Sequence, residues 1–255
     1  MKRSSFFLLI VLLFAFGGGG LVRADDEQAI SGKTADLLSD DPPADEKPST
    51  ASSYDPLEPM NRVFFEINDK LYFWVVKPVK IGYSAVLPEG IRQCFQNFFD
   101  NIASPVSLVN NLLQGQFEDA GVVVSRFLIN TTLGVYGFGD PALASFNLTP
   151  RPADFGETLG VYGIGEGVYL YWPFIGPSNI RDTVGFAGDI YAHPVTYMNL
   201  TWEEDGSYYV VTQINAQSLA PAVYEDIKKF SFDPYVAIRQ AYFELRQGKI
   251  EKQKK

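Results

Sequence analysis

The stretch GVVVSRFLINTTLGVYGFGD, residues 121–140, is apolar along almost its whole length. Arg126 and Asn130 interrupt it one helical turn apart, and with Asp119 they form a single narrow polar stripe on a helix. A surface helix of a globular protein shows the reverse, an apolar stripe on a polar cylinder. The stretch therefore predicts a helix, beginning near Phe117, with apolar surroundings on most sides and something polar along one line. A central core helix whose Arg126 pairs with a buried carboxylate would show the same pattern.

Helix start signals recur on both sides of this stretch. Asp55, with Glu58 three residues later, predicts a capping box for a helix that ends before Pro78. Asp233 followed by Pro234 predicts a second start of the same kind, because proline is favoured in the first turn of a helix. Both ends of the chain beyond residue 54 are therefore expected to be helical.

The middle of the chain is less regular. Ser104-Pro105 predicts the start of a separate short helix, and Ser178 predicts a cap for a helix through about Tyr191. Residues 134–177 are rich in Gly, Pro and Tyr and predict a loop or an irregular hairpin. The sequence thus predicts a mainly α fold, a single domain of about seven or eight short amphipathic helices with one glycine- and aromatic-rich irregular segment.

Composition divides the chain into four parts. Residues 1–24 have a basic start, a short apolar run and small residues at the end, which predicts a secretory signal peptide; an uncleaved anchor is the alternative. Residues 25–53 hold eight acidic and two basic residues and no aromatic, which predicts a disordered acidic linker. Residues 54–245 form the helical domain, and residues 246–255 are expected to be a solvated basic tail.

The residue inventory argues against several classes of protein. The net charge is −9 and no basic stripe is present, which argues against nucleic-acid binding. Cys94 is the single cysteine, so the chain forms no internal disulfide, and its neighbour Phe95 suggests burial. His193 is the single histidine, so we expect no metal site and no cofactor, and a Ser-His-Asp triad would have to use that residue.

Several longer motifs carry a resemblance to a known family, and they occur in one order along the chain. They are DPLEPMNR (55–62), NNLLQG (110–115), RFLINTTLG (126–134), GDPA (139–142), DFGETLGVYGIGEGVY (154–169) and PFIGPSNIRD (173–182). In these motifs the chain resembles the VacJ family, also called MlaA, from about residue 54 to 195. The segment DPYVAIRQAYF from residue 233 fits as well.

The resemblance implies a helical ring or disc in the outer membrane, on its periplasmic side. It also implies an amphipathic channel that removes phospholipid from the outer leaflet and so maintains lipid asymmetry. A trimeric porin and a periplasmic lipid carrier are the implied partners. Members of the family are commonly lipoproteins, whereas the predicted signal peptide of this chain has no cysteine at its end, so the usual lipid anchor is not expected.

A phospholipid channel needs polar groups for the phosphate and aliphatic surface for the tails. Arg126 and Arg181 could meet phosphate with their forked donors, and nearby asparagines could add neutral donors. The residues expected to line the channel or bind the headgroup are Asn68, Asp119, Arg126, Asn130, Arg181 and Asp182. For each asparagine taken singly, capping or bridging of helices is the alternative.

The glycine-aromatic segment is a candidate gate at the channel mouth. Glycines allow positive φ angles, and Tyr residues suit the boundary between lipid and water. The residues expected to form the gate are Gly160, Gly163, Gly165, Gly167, Tyr162 and Tyr169. A rigid turn that only closes the ring is the alternative.

Two other functions remain compatible with the sequence. One is a periplasmic scaffold on the membrane surface that binds partners and moves no lipid. The other is a secreted hydrolase, which would require His193 to lie in a pocket with a nucleophile. A continuous amphipathic opening through the domain would favour the transporter.

Overall fold

The computed structural model describes residues 55–220 and 222–254, and the predicted signal peptide and the predicted linker lie outside this part. The described chain is mainly helical, as predicted. Helix α1 (Glu58–Leu71) runs through a π-helical turn (Tyr72–Val76) into α2 (Lys77–Val86). The later helices are α3 (Glu89–Leu113), α4 (Phe117–Thr132), α5 (Pro141–Phe146), α6 (Phe155–Val161), α7 (Ile180–Ala192), α8 (Trp202–Leu219), α9 (Val223–Phe230) and α10 (Pro234–Gln253).

The first helix begins differently from the predicted capping box. It starts at Glu58 with Leu57 at the cap position, and Asp55 accepts a hydrogen bond from the Leu57 N–H at 3.1 Å. Glu58 pairs with Arg62 at 2.8 Å, and the Asp55 carboxylate accepts a hydrogen bond from Asn61 at 3.1 Å. At the other end of the domain the prediction is confirmed: Asp233 caps α10, which has proline in its first turn.

The prediction of a separate helix at Ser104-Pro105 is wrong. Helix α3 runs through both residues for 25 residues. Pro105 has no N–H for the carbonyl of Asn101 one turn earlier, and the Ser104 hydroxyl donates to that carbonyl at 2.6 Å instead. The side chain therefore replaces the missing backbone donor and lets the helix continue.

The irregular segment contains the predicted hairpin and two short helices that periodicity missed. Strands β1 (Tyr169–Trp172) and β2 (Gly176–Asn179) pair antiparallel, with Tyr169 opposite Asn179. Asn179, one residue beyond the predicted Ser178, caps α7 by accepting from the Asp182 N–H. Helices α5 and α6 are only six and seven residues long, which is too short for a clear 3.6-residue period.

The core is built around the hairpin and is largely aromatic. Tyr169 and Tyr171 of β1 pack against Phe65 of α1 and Tyr235 of α10, and Tyr242 and Phe243 belong to the same buried cluster. The Asn61 side chain donates to the Tyr169 carbonyl at 3.1 Å and accepts from the Tyr171 N–H at 2.9 Å. The hairpin is thereby fixed to the first helix by hydrogen bonds as well as by packing.

The chain beyond residue 245 differs from the predicted solvated tail. Helix α10 continues to Gln253, and Arg246 and Ile250 are buried in it. Arg246 turns inward because three carboxylates face it, as described below. Cys94, expected to be buried, is only half-buried in α3.

Candidate functional site

Helix α4 carries the polar stripe of the opening sequence, and α3 packs along it. Arg126 donates to the Asp140 carboxylate at 2.9 Å and to the carbonyl of Leu148. Asn130 donates to the other Asp140 oxygen at 2.9 Å and accepts from the Ala142 N–H at 3.0 Å. The stripe therefore fastens α4 to the start of α5 and to the segment after it.

Asp140, which accepts from both Arg126 and Asn130, also caps α5. Its side chain accepts from the Leu143 N–H at 3.1 Å, so one carboxylate joins a helix cap, an arginine and an asparagine. Arg126 and Asp140 are both largely shielded, with side-chain exposures of 15% and 19%. Arg126 thus pairs with a shielded carboxylate, as expected from the alternative interpretation of α4 as a core helix.

Arg126 also lines a cavity of about 330 Å³ between α3, α4 and the segment around residue 150. Asn130, Asp140 and Arg151 line the same cavity, and Val123, Phe127 and Leu143 supply apolar wall. Asp119, the third member of the stripe, does not line it but pairs with Arg151 at 3.1 Å. The cavity thus has two guanidinium groups, each beside a carboxylate, and an apolar side.

A second cavity of about 150 Å³ adjoins the first. Four residues line both: Gln96, Asp100, Ser107 and Pro152. The second cavity is lined further by aromatic rings and by the carboxylates of Asp154, Glu157 and Asp189. Negative charge therefore predominates in the second cavity, whereas Arg126 and Arg151 in the first cavity are balanced by Asp100 and Asp140.

The two other predicted headgroup residues of the motif block lie elsewhere. Arg181 is buried and donates to Asp182 at 2.8 Å, and Asp182 also accepts from Arg246 at 2.9 Å. Arg246 reaches Asp154 and Glu157 as well. The structure thus places Arg181 and Asp182 in a buried ionic cluster that joins α6, α7 and α10, and neither lines the two cavities.

The buried cluster changes the ionisation of its carboxyl groups. Burial opposes ionisation of Asp154, but the charge and hydrogen bonds of Arg246 hold its pKa well below the usual range. Burial and the negative charge of Asp154 raise the pKa of Glu157 to about 7. Arg246 is therefore the cation on which this group of carboxylates depends.

Asn68 has a bridging role, which was the alternative for the asparagines. It donates to the Trp172 carbonyl at 2.9 Å and accepts from the Phe174 N–H at 2.6 Å. Phe174 has a φ of 69°, so Asn68 holds a strained turn of the hairpin. Asn68 does not line the cavity that Arg126 lines.

The predicted gate residues separate into fixed and free positions. Tyr169 is 2% exposed in the aromatic core, and a Cβ on Gly160 would collide with Ile250, so both positions are set by packing. Gly163 and Gly165 have open space where a Cβ would lie. Gly163 and Gly167 have φ angles of 84° and 71°, a region that favours glycine. Tyr162 is exposed and donates to the carbonyl of Leu113.

His193 does not have the arrangement of a catalytic triad. Its Nδ1 accepts a hydrogen bond from the Val195 N–H at 3.3 Å, whereas a triad histidine donates from that atom to a carboxylate. The ring packs against Tyr208 and Tyr209. Among the described residues no group of three or more His, Cys, Asp or Glu side chains could hold a metal ion.

Large apolar side chains are exposed on α4 and in the turns that follow it. Phe117, Leu128 and Leu133 are 73%, 54% and 65% exposed. Val135 and Tyr136 are 67% and 74% exposed and both have positive φ, so a strained backbone presents apolar groups outward. In the described part of the chain no helix combines the length and apolarity needed to cross a membrane.

Sequence reasoning missed several residues of these sites. Asp140, Asp154 and Asp189 were not among the predicted site residues, although Asp140 precedes a proline and Asp154 precedes Glu157 by three residues, and both patterns signal a cap. Arg151 and Arg246 carried no signal, because a charged residue in a loop or near a chain end is usually solvated.

Fold and site together define a class: a helical protein with exposed apolar surface around polar, charge-lined cavities. Comparison with known proteins makes the class specific, because residues 53–249 match the family model described as MlaA lipoprotein. The chain belongs to the MlaA family.

Named relatives and a solved structure agree with this assignment. The intermembrane phospholipid transport system lipoprotein MlaA of Escherichia coli is 36% identical over 195 residues, covering 74% of this chain and 76% of the relative. An uncharacterized protein of Rickettsia felis is 34% identical over 199 residues, 78% of each chain. A structure solved as the structural basis for maintenance of bacterial outer membrane lipid asymmetry superposes with a TM-score of 0.68 at 30% identity, covering 77% of this chain and 99% of that one.

Proposed function

We propose that the protein is the outer-membrane component of an intermembrane phospholipid transport system. It removes mislocalised phospholipid from the outer leaflet through an amphipathic channel and so maintains lipid asymmetry. The family membership supports this function, and so does the name of the relative from Escherichia coli.

The observation that carries the proposal is the cavity beside Arg126. A phosphodiester needs charged or polar donors, and acyl chains need apolar wall; this cavity offers both within about 330 Å³. Arg151 is 47% exposed and keeps donors free of its contact with Asp119, so it is the better placed guanidinium for an entering phosphate. Arg126 adds its charge from the wall.

The exposed apolar groups support a position within the membrane interface. Residues such as Phe117, Leu128 and Val135 would be costly in water but suit the boundary of the acyl layer. We propose export through the N-terminal signal sequence and retention by this surface, without a lipidated cysteine. Cys94, the single cysteine, lies inside α3 and not at a mature N-terminus.

The loop from Gly163 to Gly167 remains our candidate for a moving gate. Gly163 and Gly165 have open space, Gly163 and Gly167 have positive φ angles, and Tyr162 just before the loop is exposed. Gly160 and Tyr169 serve as the fixed ends on which such a loop would turn. By likeness to the family, we propose a trimeric porin and a periplasmic lipid carrier as partners.

Blocking the cavity tests the proposal. Gln93 lies on the exposed side of α3 and lines the cavity. Gln93→Trp should fill the opening and reduce both phospholipid copurified after gentle extraction and the outer-membrane barrier of cells that depend on the protein. Gln240→Trp makes the same change at an exposed position of α10 outside both cavities and should behave as wild type.

Two results would favour the alternatives. If the wild-type protein fractionates with outer membranes but carries no phospholipid, and Gln93→Trp leaves the barrier intact, the protein is a membrane-surface scaffold. Release of fatty acid from phospholipid that depends on His193 would indicate a hydrolase. We propose no chemical step, because lipid movement requires none.

A further inference from the structure

Three carboxylates that line the second cavity, Asp154, Glu157 and Asp189, differ in whether a cation already neutralises them. Asp154 is held by Arg246 at 2.9 Å, and Glu157 has Arg246 at 3.2 Å and Lys249 at 3.5 Å. Asp189 accepts hydrogen bonds from the Asn110 amide at 2.9 Å and from the Phe155 N–H at 3.0 Å. Within residues 55–220 and 222–254 it has no salt bridge.

A half-buried carboxylate without a cation is costly when ionised. Burial, together with the negative charge of Asp154, raises the pKa of Asp189 to about 7. A bound cation would remove this cost. Asp189 is therefore a carboxylate in the cavity wall whose charge a bound cation would neutralise.

The rest of the second cavity contains one cation, Lys249, which pairs with Glu157 at 3.5 Å, and several aromatic rings. The rings of Tyr208, Tyr209 and Phe99 line it, and Tyr208 lies edge-on to Phe99 at 5.6 Å between centroids. Aromatic faces attract ammonium groups, and hydroxyl groups can accept from them. The carboxylate of Asp189 and the aromatic rings therefore favour a bound ammonium group over a bound anion in this cavity.

The two adjoining cavities are complementary to a dipolar headgroup. Guanidinium groups line the first, Asp189 lines the second, and Gln96 and Ser107 are among the residues common to both. We propose that the protein selects phospholipids with a zwitterionic, primary-ammonium headgroup, with phosphate beside Arg126 and Arg151 and the ammonium beside Asp189. This inference rests on the proposed function and adds the class of lipid to it.

The test is competition between two phospholipids that differ only in headgroup. The full mature chain is incubated in mixed micelles with equal amounts of dioleoyl phosphatidylethanolamine and dioleoyl phosphatidylglycerol, and copurified lipid is quantified by mass spectrometry. We expect an excess of the ethanolamine lipid of about tenfold, the contribution of one charge-assisted hydrogen bond. Equal amounts of both lipids on the wild-type protein would overturn the inference without need of a variant.

Three variants locate the preference. Asp189→Asn should bring the ratio of the two lipids close to one, whereas Arg151→Gln should weaken both lipids and leave the ratio unchanged. Glu118→Gln alters the net charge as Asp189→Asn does, but at an exposed position outside both cavities, and should keep the preference. Loss of preference in Glu118→Gln, or its retention in a folded Asp189→Asn, would contradict the role of Asp189.

Failure of this inference can be separated from failure of the proposed function. Binding of both lipids without preference leaves the transport function standing and removes only the headgroup selection. Absence of both lipids from the purified protein argues against transport itself.

Discussion

At the scale of the single residue, Arg126 has two roles: it pairs with Asp140 and it lines the first cavity. Its contacts with Asp140 and the Leu148 carbonyl are shielded from solvent, so their loss leaves a carboxylate and a carbonyl without their donor. Arg126→Ala should lower the free energy of unfolding by about 2 kcal/mol, less than for a fully buried pair. Thermal and denaturant unfolding measure this change.

The matched control is Arg151→Ala, because Arg151 lines the same cavity but is 47% exposed. Its contact with Asp119 should contribute less than about 1 kcal/mol. If Arg126→Ala unfolds at the wild-type midpoint, the side chain is not held by Asp140 and serves the cavity alone.

At the scale of the element, α3 depends on one hydroxyl to pass a proline. The Asn101 carbonyl has the Ser104 hydroxyl as donor in place of the N–H that Pro105 lacks. Ser104→Ala should lower the free energy of unfolding by about 1 kcal/mol. Ser104→Ala combined with Pro105→Ala should recover it, because residue 105 then donates its own N–H. Circular dichroism during denaturation follows the helix directly.

The order of these three stabilities is the critical comparison. A double variant no more stable than Ser104→Ala would show that the hydroxyl does not substitute for the missing donor. The long helix would then be held by its packing against the neighbouring helices, chiefly α4 and α8.

At the scale of the whole molecule, Arg246 joins the last helix to α6 and α7. It is 2% exposed and faces Asp154, Glu157 and Asp182. Arg246→Gln leaves these carboxylates without their shared cation and should cost about 3–5 kcal/mol. Lys252→Gln, the same charge change at an exposed position of α10, should leave the unfolding midpoint almost unchanged.

Truncation of the chain also tests whether the end of α10 stabilises the domain, without introducing a new side chain. A chain that ends at residue 245 should fail to fold or unfold at much lower denaturant concentration, whereas removal of residues 254–255 should be tolerated. A stable domain after the longer truncation would restore the interpretation of residues 246–255 as a solvated tail.

The sequence by itself determined the features that depend on near neighbours. Helical period gave α4 from Phe117, and the Asp233-Pro234 pair gave the start of α10, because caps and periodicity act within a few residues. The polar stripe was visible for the same reason. The motif order also sufficed to indicate the family.

Only the tertiary structure decided what the polar residues do. Arg181 has the same forked donors as Arg126, yet packing buries it with Asp182, and Arg246 meets Asp154 across 92 positions of sequence. The sequence pattern of a helix-capping carboxylate is the same whether the side chain faces water, an arginine or a cavity. Its partners are fixed by which helices pack together, and that depends on burial summed over the whole chain rather than on local spacing.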